Sequence, residues 1–293
     1  MSNSPLGASE LIITPHGTVY HLDLHPDQLA DTVITVGDPG RVATVSKHFD
    51  AIEHRAEHRE FISHTGRIGS KRLTVVSTGI GPDNIDIVFN ELDALANIDF
   101  DTRTIREQKR ALTIVRLGTA GGLQPDIPVD SFVASSFGIG LDNLLHYYQY
   151  ENNPEERFIL SEFVTHTGLD RGPITPYITE GSIRLRNMFS DGFISGITAT
   201  CPGFYGPQGR VLRGPLAYPH LIDALGSFES RGQRVANFEM ETSAIYGIGK
   251  LLGHHCLSIS AIVAQRVLKT FSKDGGLAVE RLIQAALPIL TSA

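Results

Sequence analysis

Three short runs rich in β-branched residues each pass into a glycine-bearing turn, and this repeated join constrains the fold more than any other feature. Thr32–Val36 reads TVITV and enters Gly37-Asp38-Pro39-Gly40; Leu73–Thr78 reads LTVVST and enters GIGPDN; Thr113–Leu117 reads TIVRL and enters GTAGG. Val, Ile and Thr suit a buried, extended backbone. A short helical stretch starts at Arg41, and an amphipathic helix is expected over Ile85–Ala96. Ser131–Ser135, Ile194–Ala199, Val235–Phe238 and Leu257–Ala264 add strands, while Ser243–Leu252 and about Leu277 to Leu290 read as helices. Strands alternating with helices predict an α/β fold, a single domain with a central mixed, mainly parallel sheet flanked by helices.

The chain has 293 residues, 41% of them hydrophobic, which is enough for one large core spanning 1–293. Residues 1–17 read as a flexible N-terminal tail. The polar stretches Asp99–Arg110 and Tyr147–Glu162 read as surface insertions. A net charge of −7 argues against a nucleic-acid or anionic-membrane surface. Two cysteines, Cys201 and Cys256, make no disulfide framework, and neither a signal peptide nor a membrane span is apparent. A cytoplasmic protein is the expectation.

Turns of this kind let backbone N–H groups approach a ligand, and the helix that follows favours an anion. None of the three matches the P-loop or the dinucleotide fingerprint. The plain alternative is an ordinary strand-to-helix turn. Arg41 directly follows the first turn, and Arg116 lies inside an apolar strand, where arginine is rarely unpaired. An anion such as phosphate suits a guanidinium; a salt bridge from Arg116 to Asp38 or Glu239 is the structural alternative. Asn237–Thr242 reads NFEMET and places Glu239 and Glu241 where a strand meets a helix. Two acids there imply something to hold: a metal, a proton in flight, or a set of hydroxyls.

Six strings occur together in one order. They are VGDPGRV at Val36–Val42, HREF at His58–Phe61, STGIG at Ser77–Gly81, RLGTAGGLQ at Arg116–Gln124, FYGPQGR at Phe204–Arg210 and NFEMET. On these strings the chain resembles the nucleoside phosphorylase family, its uridine phosphorylase branch most closely, from about His21 to about Arg266. The resemblance implies a phosphate site on Gly37, Arg41, Arg116 and Thr119, with Arg59 reaching into the neighbouring subunit's phosphate site. It implies that His21 meets the ribose 5′-hydroxyl across the same interface. Met240 and Glu241 would contact the ribose, the acid taking the 2′- and 3′-hydroxyls, with Glu239 in support. Gln208 and Arg210 would read uracil, whose imide edge presents acceptor, donor, acceptor, and Phe204 would pack on the base. Arg116, Gln208, Arg210 and Glu241 are the expected catalytic set.

The implied reaction is phosphorolysis of uridine to uracil and ribose 1-phosphate, with phosphate as co-substrate and no cofactor. The implied assembly is a homodimer as the minimal active unit; the family also builds hexamers from such dimers, and the sequence does not choose between the two. The nearest alternatives are a purine nucleoside phosphorylase, a nucleoside hydrolase, and a non-catalytic nucleoside-binding protein. Against purine specificity, Ala261–Leu268 reads AIVAQRVL and holds no acid. The second turn, TGIGPDN, departs from the family's commoner TGIGGPS, which leaves open whether the monovalent-cation site of some members falls on Glu60 and Asn84. No metal is expected, because His54, His58, His64, His254 and His255 lack a ligand frame.

Overall fold

The computed structural model describes residues 4–292. The strands that build the site are β1 (Thr32–Val36), β2 (Ala51–His58), β3 (Phe61–Ile68), β4 (Lys71–Ser77) and β5 (Thr113–Gly122), then β6 (Phe132–Gly140), β7 (Tyr177–Glu180), β8 (Ile194–Thr200), β9 (Gln233–Glu239) and β10 (His255–Gln265). The helices are α1 (Pro39–Ser46), α2 (Pro82–Asn97), α3 (Pro154–Thr167), α4 (Ile183–Met188), α5 (Leu221–Ser227), α6 (Thr242–Leu252) and α7 (Gly275–Thr291).

All five residues of β1 are buried, as expected of a central strand with both faces covered. β1 runs parallel to β4 on one side and β5 on the other, with Val36 opposite Ser77 and Thr35 opposite Arg116. The sheet continues β9-β8-β6-β10-β5-β1-β4-β3-β2. One more pairing bends it round: β9 also meets the far end of β5, antiparallel, with Asn237 opposite Gly122 and Phe238 opposite Gly121. Strands β5, β10, β6, β8 and β9 therefore close a ring. Apolar faces of α2 and α6 cover one side of the sheet, and those of α1 and α7 the other. The mixed α/β architecture expected from the strand–helix alternation is the one observed.

Four details differ from the sequence reading. GTAGG is no turn; it continues β5, because β10 runs beside it in a parallel ladder as far as Gln265 opposite Gly122. The charged run AIEHRAEH, to which the sequence assigns no element, forms β2, an edge strand whose Glu53, Arg55 and Glu57 are exposed. Tyr147–Glu162 is not a plain surface insertion: it holds the first turns of α3, whose Ile159 and Phe163 are buried. Asn153 and Glu156 cap that helix reciprocally, each side chain taking the other's backbone N–H. The chain over residues 6–19 is tied down rather than a free tail. Arg103 donates to the carbonyls of Leu6, Gly7 and Leu11, and Ile13 bridges Val19. Residues 1–3 lie outside the described residues. Among the described residues, no helix is long and apolar enough to cross a membrane.

Candidate active site

The carboxyl ends of β1, β4, β5, β9 and β10 surround one open cleft of about 790 Å³. That is the size of a pocket for a small organic ligand. Gly37, Arg41, Arg116 and Thr119 line it, and so do Glu239, Met240 and Glu241. Phe204, Gln208 and Arg210 line it as well.

Arg116 comes from the middle of β5 and is only 5% exposed. Its side chain folds back along its own strand over Gly118, where a Cβ would fall 1.9 Å from Nη1. Nη2 donates to Glu241 Oε2 at 2.5 Å and lies 3.2 Å from Glu239 Oε2, while Nη1 donates to Ser260 Oγ at 3.1 Å. The bridge to Glu239 is thus present, joined by a closer one to Glu241, and Asp38 instead caps α1 by accepting the N–H of Gly40 at 2.9 Å. Burial lowers the Arg116 pKa, but the charges of Glu239 and Glu241 outweigh it and raise the net value. Burial pushes Glu241 upward; Arg116 opposes that shift and Glu239 reinforces it.

Glu241 is positioned from a third element. Its Oε1 accepts the N–H of Gly81 at 2.9 Å, in the turn between β4 and α2. Gly81 has φ +102 and Gly79 has φ +70, so both turn glycines sit in a region that disfavours side chains. Glu239 does different work. Its carboxylate accepts the N–H of Glu241 at 3.0 Å and of Thr242 at 3.0 and 3.1 Å, which caps α6.

Arg41 lies on the first turn of α1 and donates one N–H to Leu117 O at 3.4 Å. Burial and the Arg116 charge beside it hold its pKa below the ordinary arginine value. Two guanidiniums and two carboxylates thus share one partly dry space. An added anion would relieve the repulsion between the arginines.

The other wall is aromatic. The Arg210 guanidinium lies 3.8 Å from the centre of the Phe204 ring and donates to Phe204 O at 2.7 Å and Gln208 Oε1 at 2.6 Å. Gln208 is buried, whereas Phe204 is 50% exposed. Arg266 approaches the Phe238 ring from 5.7 Å, and burial together with the Arg266 charge lowers the Arg210 pKa. No carboxylate bonds to this pair of guanidiniums among the described residues. Electron-rich groups are what this wall can stabilise.

His21 and Arg59 do not line the cleft. The His21 ring meets Glu91 Oε1 through Nδ1 at 2.7 Å, and Glu91 also accepts the backbone N–H groups of His21 and Leu22. Arg59 has φ +56 and donates to the Tyr20 hydroxyl at 3.4 Å. Both therefore belong to one surface cluster. Ser260, the Gly81 amide and Phe238 are given no place in the site by the sequence. A serine inside an apolar strand, opposite Gly118, was the available signal for the first. Among the described residues, no group of three or more His, Cys, Asp or Glu is placed to hold a metal.

Residues 31–291 match the model of the family described as the phosphorylase superfamily. A uridine phosphorylase of Thermococcus kodakarensis is 28% identical over 280 residues, covering 94% of this chain and 88% of its own. The uridine phosphorylase of Escherichia coli is 25% identical over 288 residues, covering 93% and 98%. Among solved structures, a Trypanosoma brucei nucleoside phosphorylase described as showing uridine phosphorylase activity is similar with a TM-score of 0.89. It is 33% identical, and the match covers 97% of this chain and 100% of that one.

Proposed function

We propose that this chain, which belongs to the phosphorylase superfamily, catalyses the reversible phosphorolysis of uridine to uracil and ribose 1-phosphate. It is an enzyme of the pentosyltransferase type. The observation that carries the uridine reading is a juxtaposition in one cleft: Arg41 and Arg116 beside Glu241, and a Gln208–Arg210 pair on an aromatic wall with no acid bonded to it. The first group suits phosphate under a ribose; the second suits the leaving pyrimidine.

In this reading Gly37, Arg41, Arg116 and Thr119 hold phosphate, and Glu241 and Met240 hold the sugar. Phosphate attacks the anomeric carbon as the C–N bond breaks, forming the C–O bond while the electron pair leaves with the base. Proximity supplies much of the acceleration. Arg210 and Gln208 are the donors for the negative charge that grows on uracil. For this, Gln208 must release its contact with Arg210 and turn to the base. The amide then offers both a donor and an acceptor to the imide. Phosphate charge stabilises the cationic ribose, so neither Glu239 nor Glu241 is needed as a proton donor.

Arg59 and His21 complete the site from a neighbouring copy, which makes a homodimer the minimal active unit and allows a hexamer built from dimers. Two buried free cysteines fit a reducing, cytoplasmic setting. Phosphate is a substrate, and no further cofactor is invoked. Uracil release from uridine, followed by absorbance with and without phosphate and with inosine in parallel, tests the reading. Turnover indifferent to phosphate would make this a hydrolase, and preference for inosine would make it a purine enzyme.

A further inference from the structure

Thr200 ends β8, and its neighbour across the parallel ladder is Glu239. Its side chain is enclosed, and the hydroxyl has two partners. It accepts the N–H of Ser243 at 2.9 Å and donates to Glu239 Oε1 at 2.9 Å. The Ser243 amide can only donate, so the one hydroxyl proton goes to Glu239.

Glu239 is therefore gripped from both oxygens. Thr200 and the Thr242 N–H, at 3.0 Å, hold Oε1, while Oε2 accepts the Glu241 N–H at 3.0 Å and the Thr242 N–H at 3.1 Å and faces Arg116 Nη2 at 3.2 Å. The Glu239 side chain is 2% exposed, so water is poorly placed to replace a lost donor.

Ser243 also points the other way. Its Oγ lies 3.0 Å from the Tyr177 hydroxyl, which donates to Asp142 at 2.8 and 2.9 Å. The N–H and O–H of Ser243 are separate donors, so loss of the Tyr177 contact leaves the Ser243 N–H on Thr200, and no proton passes between Asp142 and Glu239.

We propose that Thr200 is a positioning residue for phosphorolysis: its hydroxyl sets the rotation of the Glu239 carboxylate and, through it, the alignment of Arg116 with Glu241. This rests on the reading of Arg116 as a phosphate ligand and Glu241 as the ribose clamp. Without the hydroxyl, Oε1 keeps only the Thr242 N–H, which it shares with Oε2, and Glu239 turns about that bond and draws Arg116 off Glu241. Phosphate binding and recognition of the ribose hydroxyls then loosen together, while the Gln208–Arg210 wall is untouched.

Thr200→Val, Thr200→Ser and Tyr177→Phe distinguish this from a purely structural role. In Thr200→Val the KM for phosphate is expected to rise about tenfold, the scale of a hydrogen bond to a charged group. The preference for uridine over 2′-deoxyuridine in kcat/KM should fall at least about threefold. Thr200→Ser keeps the hydroxyl and should restore both to within about twofold. Tyr177→Phe should lower thermal stability and leave both unchanged. A folded Thr200→Val with wild-type KM for phosphate and wild-type sugar preference overturns the proposal, and so does a Thr200→Ser as impaired as Val. If Thr200→Val does not fold, Thr200→Cys, a weaker donor, must shift both readouts in the same direction or the proposal fails. Wild-type protein with no phosphate-dependent turnover would count against the functional reading instead. Calorimetric phosphate binding to the same variants would then test Thr200.

Discussion

Arg116 and Glu241 meet at 2.5 Å although 125 positions separate them, and Gly118 is what gives the arginine room to reach the contact. The guanidinium occupies the space a Cβ at position 118 would need. Since Gly118 has no positive φ, alanine is compatible with its backbone, and the three atoms nearest its Cβ all belong to the Arg116 guanidinium.

Gly118→Ala should therefore dislodge Arg116 while leaving the sheet in place. The expected outcome is a fall in kcat/KM for uridine of about 100-fold, the scale of a 1 Å misplacement in a catalytic constellation. Steady-state kinetics beside a far-UV spectrum checks it. Wild-type kinetics would show that the folded-back arginine is not needed.

Arg210→Ala should lower kcat for uridine by about 100-fold or more, as loss of a donor to developing negative charge does elsewhere. Arg210→Lys should recover little, because an ammonium offers neither the planar fork nor the stacking on Phe204 seen at 3.8 Å. A kcat equal to wild type in either variant would remove Arg210 from the leaving-group site.

Arg59→Ala and Arg210→Ala can be set against each other. If Arg59 serves the neighbouring subunit's site, each variant alone is impaired. A mixture refolded together, half of it heterodimers with one intact site each, should regain about a quarter of wild-type activity. Lack of complementation despite verified subunit exchange would place Arg59 outside the partner's site.

Glu156 tests stability away from the cleft. Fully buried, its carboxylate accepts from Lys250 Nζ at 2.8 Å, Glu180 N at 2.8 Å, Asn153 N at 2.7 Å and the Tyr150 hydroxyl at 3.1 Å. Burial pushes its pKa up, but the hydrogen bonds from Lys250 and from the Asn153 and Glu180 amides outweigh this and leave it below the ordinary 4.5. A carboxylate with a depressed folded pKa stabilises the protein above its ordinary pKa and ceases to do so as pH falls through the folded value. Glu156→Gln should lower the melting temperature by about 5 °C or more at neutral pH. The gap from wild type should narrow in acid, below about pH 4. A gap independent of pH would mean that packing, not charge, is lost.

The strands with β-branched runs were readable because burial on both faces demands such residues: Thr32–Val36 appears with the expected bounds. GTAGG was misjudged because glycines signal turns in isolation, whereas here they let β10 and the Phe238 ring pack close; a Cβ at Gly121 would lie 3.0 Å from that ring. The α3 segment was misjudged because its apolar residues are spread among charges, although N-P-E-E carried a capping signal. Arg116 stood out because an arginine in an apolar strand needs a reason. Of its partners only Glu239 was foreseen, since Glu241, Ser260 and the Gly81 amide become its neighbours, directly or through Glu241, only by tertiary assembly. Thr200 carried no signal at all, being one more threonine in a strand.

The pairing of Asn237 with Gly122, which closes the ring of strands, also sets an order of events in synthesis. Arg116 leaves the ribosome 125 residues ahead of Glu241, a delay of roughly 6 to 25 s at ordinary elongation rates. During that interval β5 carries a cation meant for the interior with neither of its carboxylates made. The first half of the chain cannot bury β5 as it stands in the finished protein until β9 and then β10 arrive. Release of the nascent chain before Glu241 would leave that strand exposed, a ready surface for chaperones or for aggregation.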